Sequence, residues 1–139
     1  MAEATRSSAA ALPVLPGEDR WTEAELDEVR SELEADIAEL RDEISKAETQ
    51  IADRMGDAVA DAGDDTADTG AKAFEREQEL ALTHNAKELL AQNERSLAGI
   101  TSGTYGVCES CGEPIGKARL QAFPRATLCV QCKQREERR

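Results

Sequence analysis

The chain has 139 residues, of which 40% are hydrophobic, 33% are charged and only 3% are aromatic. So few aromatic side chains exclude a large globular core, and the high charged fraction favours long solvated helices. The formal net charge of −12 excludes a protein that coats nucleic acid through a generally basic surface.

Membrane insertion and secretion are not expected. No apolar run approaches the roughly 20 residues that a membrane helix needs. The alanine-rich start contains Glu3 and is broken by Pro13 and Pro16, which makes it a poor signal peptide. We therefore expect a cytoplasmic protein.

Residues 1–20 are small and polar and include two prolines and Gly17. Such a composition predicts a disordered tail, and nothing in it indicates chemistry.

The first long helix is predicted to begin at a capping box. Thr22 is the expected N-cap with Glu25 three residues later, and Trp21 and Leu26 are placed for a hydrophobic staple. The helix should run from Glu23 to about residue 60. Its apolar residues then recur at alternating steps of three and four, which is the seam of a coiled coil. The seam consists of Leu26, Leu33, Ile37, Leu40, Ile44, Ala47 and Ile51, with Arg30 and Arg54 as polar exceptions.

An acidic turn is predicted at residues 61–70. Between Arg54 and Lys72 the sequence has five aspartates and no basic residue, and Gly63 and Gly70 punctuate the run. The mutual repulsion of these charges and the shortage of apolar side chains favour an exposed tip.

A second seam follows the turn and should pair with the first. Because the turn is short and contains glycine, an antiparallel hairpin within one chain is favoured over a dimer in which each seam pairs with another molecule. We therefore expect a monomer, with the hairpin over residues 21–103 and its second helix ending near Ser102 and Gly103. The second seam consists of Phe74, Leu82, Ala86, Leu90, Leu97 and Ile100, with Asn93 as a polar interruption.

All four cysteines lie in residues 104–139, in two C-x-x-C pairs separated by 17 residues: Cys108, Cys111, Cys129 and Cys132. Each pair can present two sulfurs to one ion, and four thiolates leave no open coordination position, so the pattern predicts one structural zinc ion and no catalytic one. A redox pair would need a βαβ context, and two disulfides would need an oxidising compartment. The predicted fold is therefore mainly α, a long antiparallel coiled-coil hairpin on a small four-cysteine zinc-knuckle module with a short C-terminal helix.

The cysteine segments, residues 103–124 and 128–133, resemble the DksA/TraR family of zinc-finger transcription regulators. A weaker likeness lies in residues 67–70 and 74–77, and the resemblance as a whole covers residues 22–139. It implies a protein that is not an enzyme. It also implies a coiled-coil hairpin that enters the secondary channel of bacterial RNA polymerase and modulates initiation with its tip.

The same resemblance implies roles for single residues. The family's tip pattern, Asp-x-x-Asp-x-Ala, aligns with Asp65, Asp68 and Gly70, so that Asp68 would be the principal effector residue. Arg119, Arg125 and Lys133 would contact the rim of the channel. Asn85 and Gln92 occupy arm positions that are basic in members that bind ppGpp, so weak ppGpp dependence or none is expected.

Three alternatives remain open. Asp68 could simply be the N-cap of the second helix. Paired tip carboxylates could help to hold a polymerase Mg²⁺ ion and stimulate transcript cleavage. A DNA-binding zinc finger is the third alternative, which the net charge disfavours; no specific DNA binding is expected.

Overall fold

A computed structural model describes residues 9–60 and 66–138 of the chain, with side chains described for residues 9–54 and 70–138. Two long helices, α1 (Glu23–Ala60) and α2 (Thr66–Ser102), are followed by the short helices α3 (Lys117–Ala122) and α4 (Val130–Glu137). The described residues form no β-strand, only an isolated antiparallel bridge between Val107 and Pro114. The predicted fold class is confirmed: two long packed helices and a cluster of four cysteines.

The start of α1 is the predicted capping box. The backbone N–H of Glu25 donates to Thr22 Oγ1 at 3.1 Å, and the backbone N–H of Thr22 donates to Glu25 Oε1 at 3.0 Å. Two N–H groups that a helix start leaves unpaired are thereby satisfied. Trp21 and Leu26, the predicted staple, are both buried in one apolar cluster.

The described chain divides into two compact units. The first, which we call the terminal unit, comprises residues 9–37 and 91–138; the second, the middle unit, comprises residues 38–90. The terminal unit holds the main apolar core. Its buried members are Ala9, Leu12, Trp21, Leu26, Val29, Leu33, Ile100, Tyr105, Cys108, Ile115, Leu120 and Cys132.

The middle unit has a much thinner core. Its buried apolar residues among those described are Ile44, Ile51 and Ala86. Two ion pairs join α1 to α2 in this unit, Arg54 with Glu79 and Glu48 with Lys87. The residue number falls on α2 as it rises on α1, so the two helices run antiparallel as predicted.

The prediction for the second seam was wrong at two positions. Phe74 and Leu82 are 61% and 68% exposed, whereas Thr83 is buried; Asn93, the predicted polar interruption of the seam, is buried as expected. Neighbouring helical residues point about 100° apart, so the rotation that buries Ala86 and Thr83 turns Leu82 outwards. Thr83 therefore takes the buried position that the sequence pattern assigned to its neighbour Leu82.

The N-terminal segment also differs from the sequence-based expectation. Residues 1–8 lie outside the described part of the chain, but residues 9–20 pack on the terminal unit, and Ala9 and Leu12 are buried in its core. The apolar side chains in an otherwise polar stretch help to anchor it.

Helices long and apolar enough to traverse a lipid bilayer do not occur among the described residues.

Candidate metal centre

The first cysteine pair lies on a tight turn beyond the end of α2. The helix stops at Ser102, and Gly103 follows with a φ of 81°. Within the turn, the backbone N–H of Cys108 donates to the Glu113 carbonyl at 2.8 Å, and the N–H of Gly112 donates to the Cys108 carbonyl at 3.0 Å. These bonds fold the backbone around the two sulfurs of Cys108 and Cys111.

The second pair lies at the start of α4. Cys129 is the N-cap of this helix, and Cys132 is buried in its first turn. One backbone hydrogen bond, from Glu109 N–H to the Thr127 carbonyl at 2.9 Å, ties the segment before the second pair to the first turn. The chain therefore brings both pairs together through its own backbone contacts.

The four sulfurs form a compact set suited to one tetrahedral ion. All four Sγ atoms lie within 4.8 Å of one another, and Cys111 Sγ is 3.8 Å from Cys129 Sγ. Zinc–sulfur bonds of about 2.3 Å in a tetrahedron place the sulfurs roughly 3.8 Å apart. The cysteines form no disulfide, whose S–S bond would be about 2.05 Å. The four thiols therefore fit a C4 zinc site.

The electrostatics of the cluster also favour a bound cation. Desolvation opposes ionisation of Cys108, but the backbone N–H groups of Cys111, Cys129 and Ser110 outweigh it and lower the pKa of Cys108 to about 6. At Cys111 the Glu113 backbone N–H favours the thiolate, yet desolvation and the neighbouring sulfurs raise the pKa to about 12. Without a cation the sulfurs cannot all ionise together, whereas a divalent ion binds them as thiolates.

The cluster belongs to the core of the terminal unit and is not a surface attachment. Cys108 and Cys132 are buried in it with Leu120. Tyr105 donates its hydroxyl to the Pro124 carbonyl at 2.7 Å, and burial with the nearby Glu32 charge raises the pKa of this phenol. The Tyr105 hydroxyl thus holds one point, Pro124, of the segment between the cysteine pairs.

The predicted acidic tip falls largely outside the described residues. Asp65 is among residues 61–65, which the structure does not describe, and Asp68 belongs to α2 without a described side chain. Because α2 begins at Thr66, Asp68 lies within the first turn of the helix and does not precede it as an N-cap. Gly70 is exposed, and there is open space around the position of a Cβ atom.

The three predicted rim residues have different surroundings. Arg119 is half-buried, donates its Nε to the Leu128 carbonyl at 3.3 Å and lies over the Phe123 ring at 5.9 Å. Arg125 and Lys133 are exposed. Arg119 therefore has an internal packing role, and the other two are accessible for a partner.

One acidic residue contacts this module although no sequence pattern indicated it. Glu18, in the segment predicted to be disordered, accepts hydrogen bonds from the backbone of Lys117 and Ala118. The partners are about a hundred residues apart in the chain, and no short-range pattern reports such a contact. The three-residue spacing of the apolar Ala9 and Leu12 was the one sequence signal that this segment packs against the rest of the chain.

The chain is similar to known proteins in both sequence and structure. Residues 103–138 match the family described as the prokaryotic dksA/traR C4-type zinc finger. The RNA polymerase-binding transcription factor DksA of Caulobacter vibrioides is 40% identical over 73 residues, which cover 52% of this chain and 51% of that protein. Its namesake in Escherichia coli K12 is 38% identical over 66 residues, covering 48% and 44%. The chain thus spans about half the length of the curated relatives that it matches.

A solved structure is similar over a longer range. The transcription factor DksA2 from Pseudomonas aeruginosa matches with a TM-score of 0.65 and 33% sequence identity. The match covers 84% of this chain and 85% of the DksA2 chain. The likeness therefore extends well beyond the cysteine module.

Proposed function

Because the chain belongs to the DksA/TraR family, we propose that it is a transcription regulator that binds RNA polymerase. The observation that carries this proposal is the similarity to DksA2 over 84% of the chain, a far larger share than the cysteine module occupies. The relatives are named as transcription factors, so the proposed role is regulatory and not enzymatic.

The metal centre has a structural role in this proposal. Cys108, Cys111, Cys129 and Cys132 would hold one zinc ion, and four protein ligands leave no position for a substrate. A bound zinc ion supplies charge neutralisation and cross-linking of the two pairs. The residues of this chain shape the site through backbone hydrogen bonds and the buried packing of two of the cysteines.

In the proposed mechanism, the two long helices carry the acidic tip at residues 61–70 into the secondary channel of polymerase. There Asp68, supported by Asp65 and the small Gly70, would perturb the active centre during initiation through its negative charge. Arg125 and Lys133 would contact the channel rim, a role supported by their exposure. The internal contacts of Arg119 make it a weaker candidate.

The proposal also specifies the partners. The protein would act as a monomer without sequence-specific DNA binding. Asn85 is exposed and Gln92 half-buried on α2, and neither can pair with a phosphate as a base would. Weak dependence on ppGpp, or none, is the expected result.

The decisive experiment is transcription in vitro with the cognate polymerase. We expect Asp68→Asn to abolish most of the regulatory effect and Asp65→Asn to weaken it. Asp53→Asn removes an equal charge from an exposed position on α1 and serves as the matched control. Competition for polymerase binding should be similar for all four proteins, because the tip would act after docking.

If wild type and Asp68→Asn regulate equally while both bind polymerase, the tip mechanism is wrong. Absence of binding by the wild type would reject the polymerase proposal itself. Measuring RNA cleavage in stalled complexes distinguishes the alternative of a cleavage factor, for which the same variants would lose cleavage.

A further inference from the structure

We propose that residues 9–20 form an N-terminal clasp whose docking on the cysteine module is coupled to metal binding. The clasp would hold the module closed while the four cysteines carry their metal and would detach when the metal leaves. The inference rests on the zinc centre proposed above and is independent of polymerase binding.

The polar half of the clasp is the Glu18 carboxylate. Its Oε1 accepts the backbone N–H of Lys117 at 2.9 Å and that of Leu15 at 2.7 Å, while Oε2 accepts the N–H of Ala118 at 2.9 Å. Gly116, the N-cap of α3, has no side chain that could accept these bonds. Glu18 therefore supplies from a remote part of the chain the acceptor that a helix start requires.

The Lys117 side chain in turn contacts the end of the clasp and the start of α1. Its Nζ donates to the Arg20 carbonyl at 3.4 Å and pairs with Glu25 at 2.6 Å, and it lies 6.0 Å from the centre of the Trp21 ring. Only 12% of this side chain is exposed. The end of the clasp and the first turn of α1 thus hold one lysine of the module.

The apolar half of the clasp enters the same core as the cysteines. Ala9 and Leu12 are buried in the cluster that contains Cys108 and Cys132. Leu15 fits against Gly116, where an added Cβ would come within 2.8 Å of the leucine Cδ1. The clasp therefore contributes both apolar burial and hydrogen bonds to the module.

The coupling to metal follows from where the clasp binds. Lys117 and Ala118 belong to the spacer between the two cysteine pairs, and the metal closes both ends of that spacer. A module with so few apolar residues cannot hold the spacer in place alone. Losing the metal should therefore disrupt the site that receives Glu18. By reciprocity, a docked clasp should raise the metal affinity.

The first test measures zinc affinity of the full-length protein by competition with a chelator. Glu18→Gln removes the charge and one acceptor oxygen, and we expect zinc binding to weaken roughly five- to tenfold. Asp19→Asn is the matched control, because Asp19 is exposed and makes no hydrogen bond or ion pair within the described part of the chain. Leu12→Ala tests the apolar half, and the same direction of change is expected.

The second test follows the clasp directly. Trp21 is the single tryptophan and is 2% exposed, so its emission should shift to the red when the clasp detaches. Trypsin should then cleave after Arg20. We expect both changes when a chelator is added to the wild type. For Glu18→Gln, they should appear at a lower chelator concentration, with the helical circular dichroism signal largely kept.

The proposal is overturned if the chelated protein keeps its buried Trp21 and its resistance at Arg20. It is also overturned if Glu18→Gln and Leu12→Ala bind zinc as tightly as Asp19→Asn. Should Glu18→Gln fail to fold, Leu12→Ala decides the outcome. No arm of the experiment contains polymerase, so failure here leaves the proposed regulatory function to its own test.

Discussion

Arg54 on α1 forms an ion pair with Glu79 on α2, and both residues occupy seam positions of their helices. Arg54 lies three residues after the buried Ile51, and Glu79 lies four residues before the buried Thr83. Charge therefore replaces apolar packing at this level of the middle unit. A part-buried pair of this kind fixes the helix register but adds little net stability.

Replacing one or both residues with leucine should separate the cost of an unpaired Glu79 carboxylate from the net contribution of the ion pair. Arg54→Leu alone leaves the Glu79 carboxylate half-buried without its cation, and we expect the free energy of unfolding to fall by about 1 kcal/mol. The double variant Arg54→Leu/Glu79→Leu should recover that loss or exceed the wild type. Urea unfolding followed by circular dichroism measures both. A double variant much less stable than the wild type would show that the pair itself is strongly stabilising.

Asn93 is 1% exposed in the terminal unit, at a seam position of α2. A buried asparagine in a helical seam costs stability but restricts which partner and register are possible. Asn93→Leu should therefore raise the free energy of unfolding. Sedimentation equilibrium should show increased self-association. Exposed Asn85 provides the control, since Asn85→Leu should not stabilise the protein.

The Glu25–Lys117 pair should produce a pH dependence with a defined sign. Its hydrogen bond from Lys117, followed by those from Thr22, lowers the pKa of Glu25 from 4.5 to about 2. Because the folded-state pKa is the lower one, the stabilisation is complete above pH 4.5. It is lost as the pH falls towards 2. The stability difference between wild type and Glu25→Gln should shrink over that range.

The measurement is the urea concentration at the midpoint of unfolding, determined for both proteins at each pH in excess zinc. Protonation of the cysteines affects both proteins alike, so it cancels in their difference. Glu23→Gln is the control, since Glu23 is exposed in the same helical turn. A constant difference between wild type and Glu25→Gln from pH 6 to pH 3 would contradict the assignment.

Gly116 should be the least replaceable glycine of the cysteine module. Its φ of 113° and ψ of 134° lie where residues with a side chain rarely occur, and Leu15 occupies the space of a Cβ atom. We expect Gly116→Ala to cost about 2 kcal/mol. Gly103, with a φ of 81° and open space around it, should tolerate alanine at about 1 kcal/mol. Urea unfolding measures both losses. If Gly116→Ala and Gly103→Ala lose the same free energy of unfolding, the contact with Leu15 does not make Gly116 harder to replace.

Local signals predicted much of this structure. The capping box at Thr22 and Glu25, the end of α2 at Ser102 and the four clustered cysteines all follow from patterns within a few residues or from a fixed cysteine spacing. Each involves a strong local preference, a hydrogen bond or metal geometry, that tertiary packing did not oppose.

The predictions that were wrong, for the second seam and for the N-terminal segment, share one physical cause. Leu82 and Thr83 are adjacent, and only the rotation of α2 against α1 decides which of them is buried. The contact of Glu18 with Lys117 depends on how the chain returns after two long helices. Both outcomes are set by packing between distant segments, which local periodicity does not contain.

The terminal unit combines residues 9–37 with residues 91–138, while the middle unit is one continuous stretch. During synthesis, residues 38–90 can therefore complete their contacts as soon as they leave the ribosome. Residues 9–37 cannot complete their core until the last cysteine pair has been translated. Until then Trp21 and Leu33 remain exposed to solvent. The newly made chain is consequently most open to aggregation or to a chaperone just before Cys132 emerges.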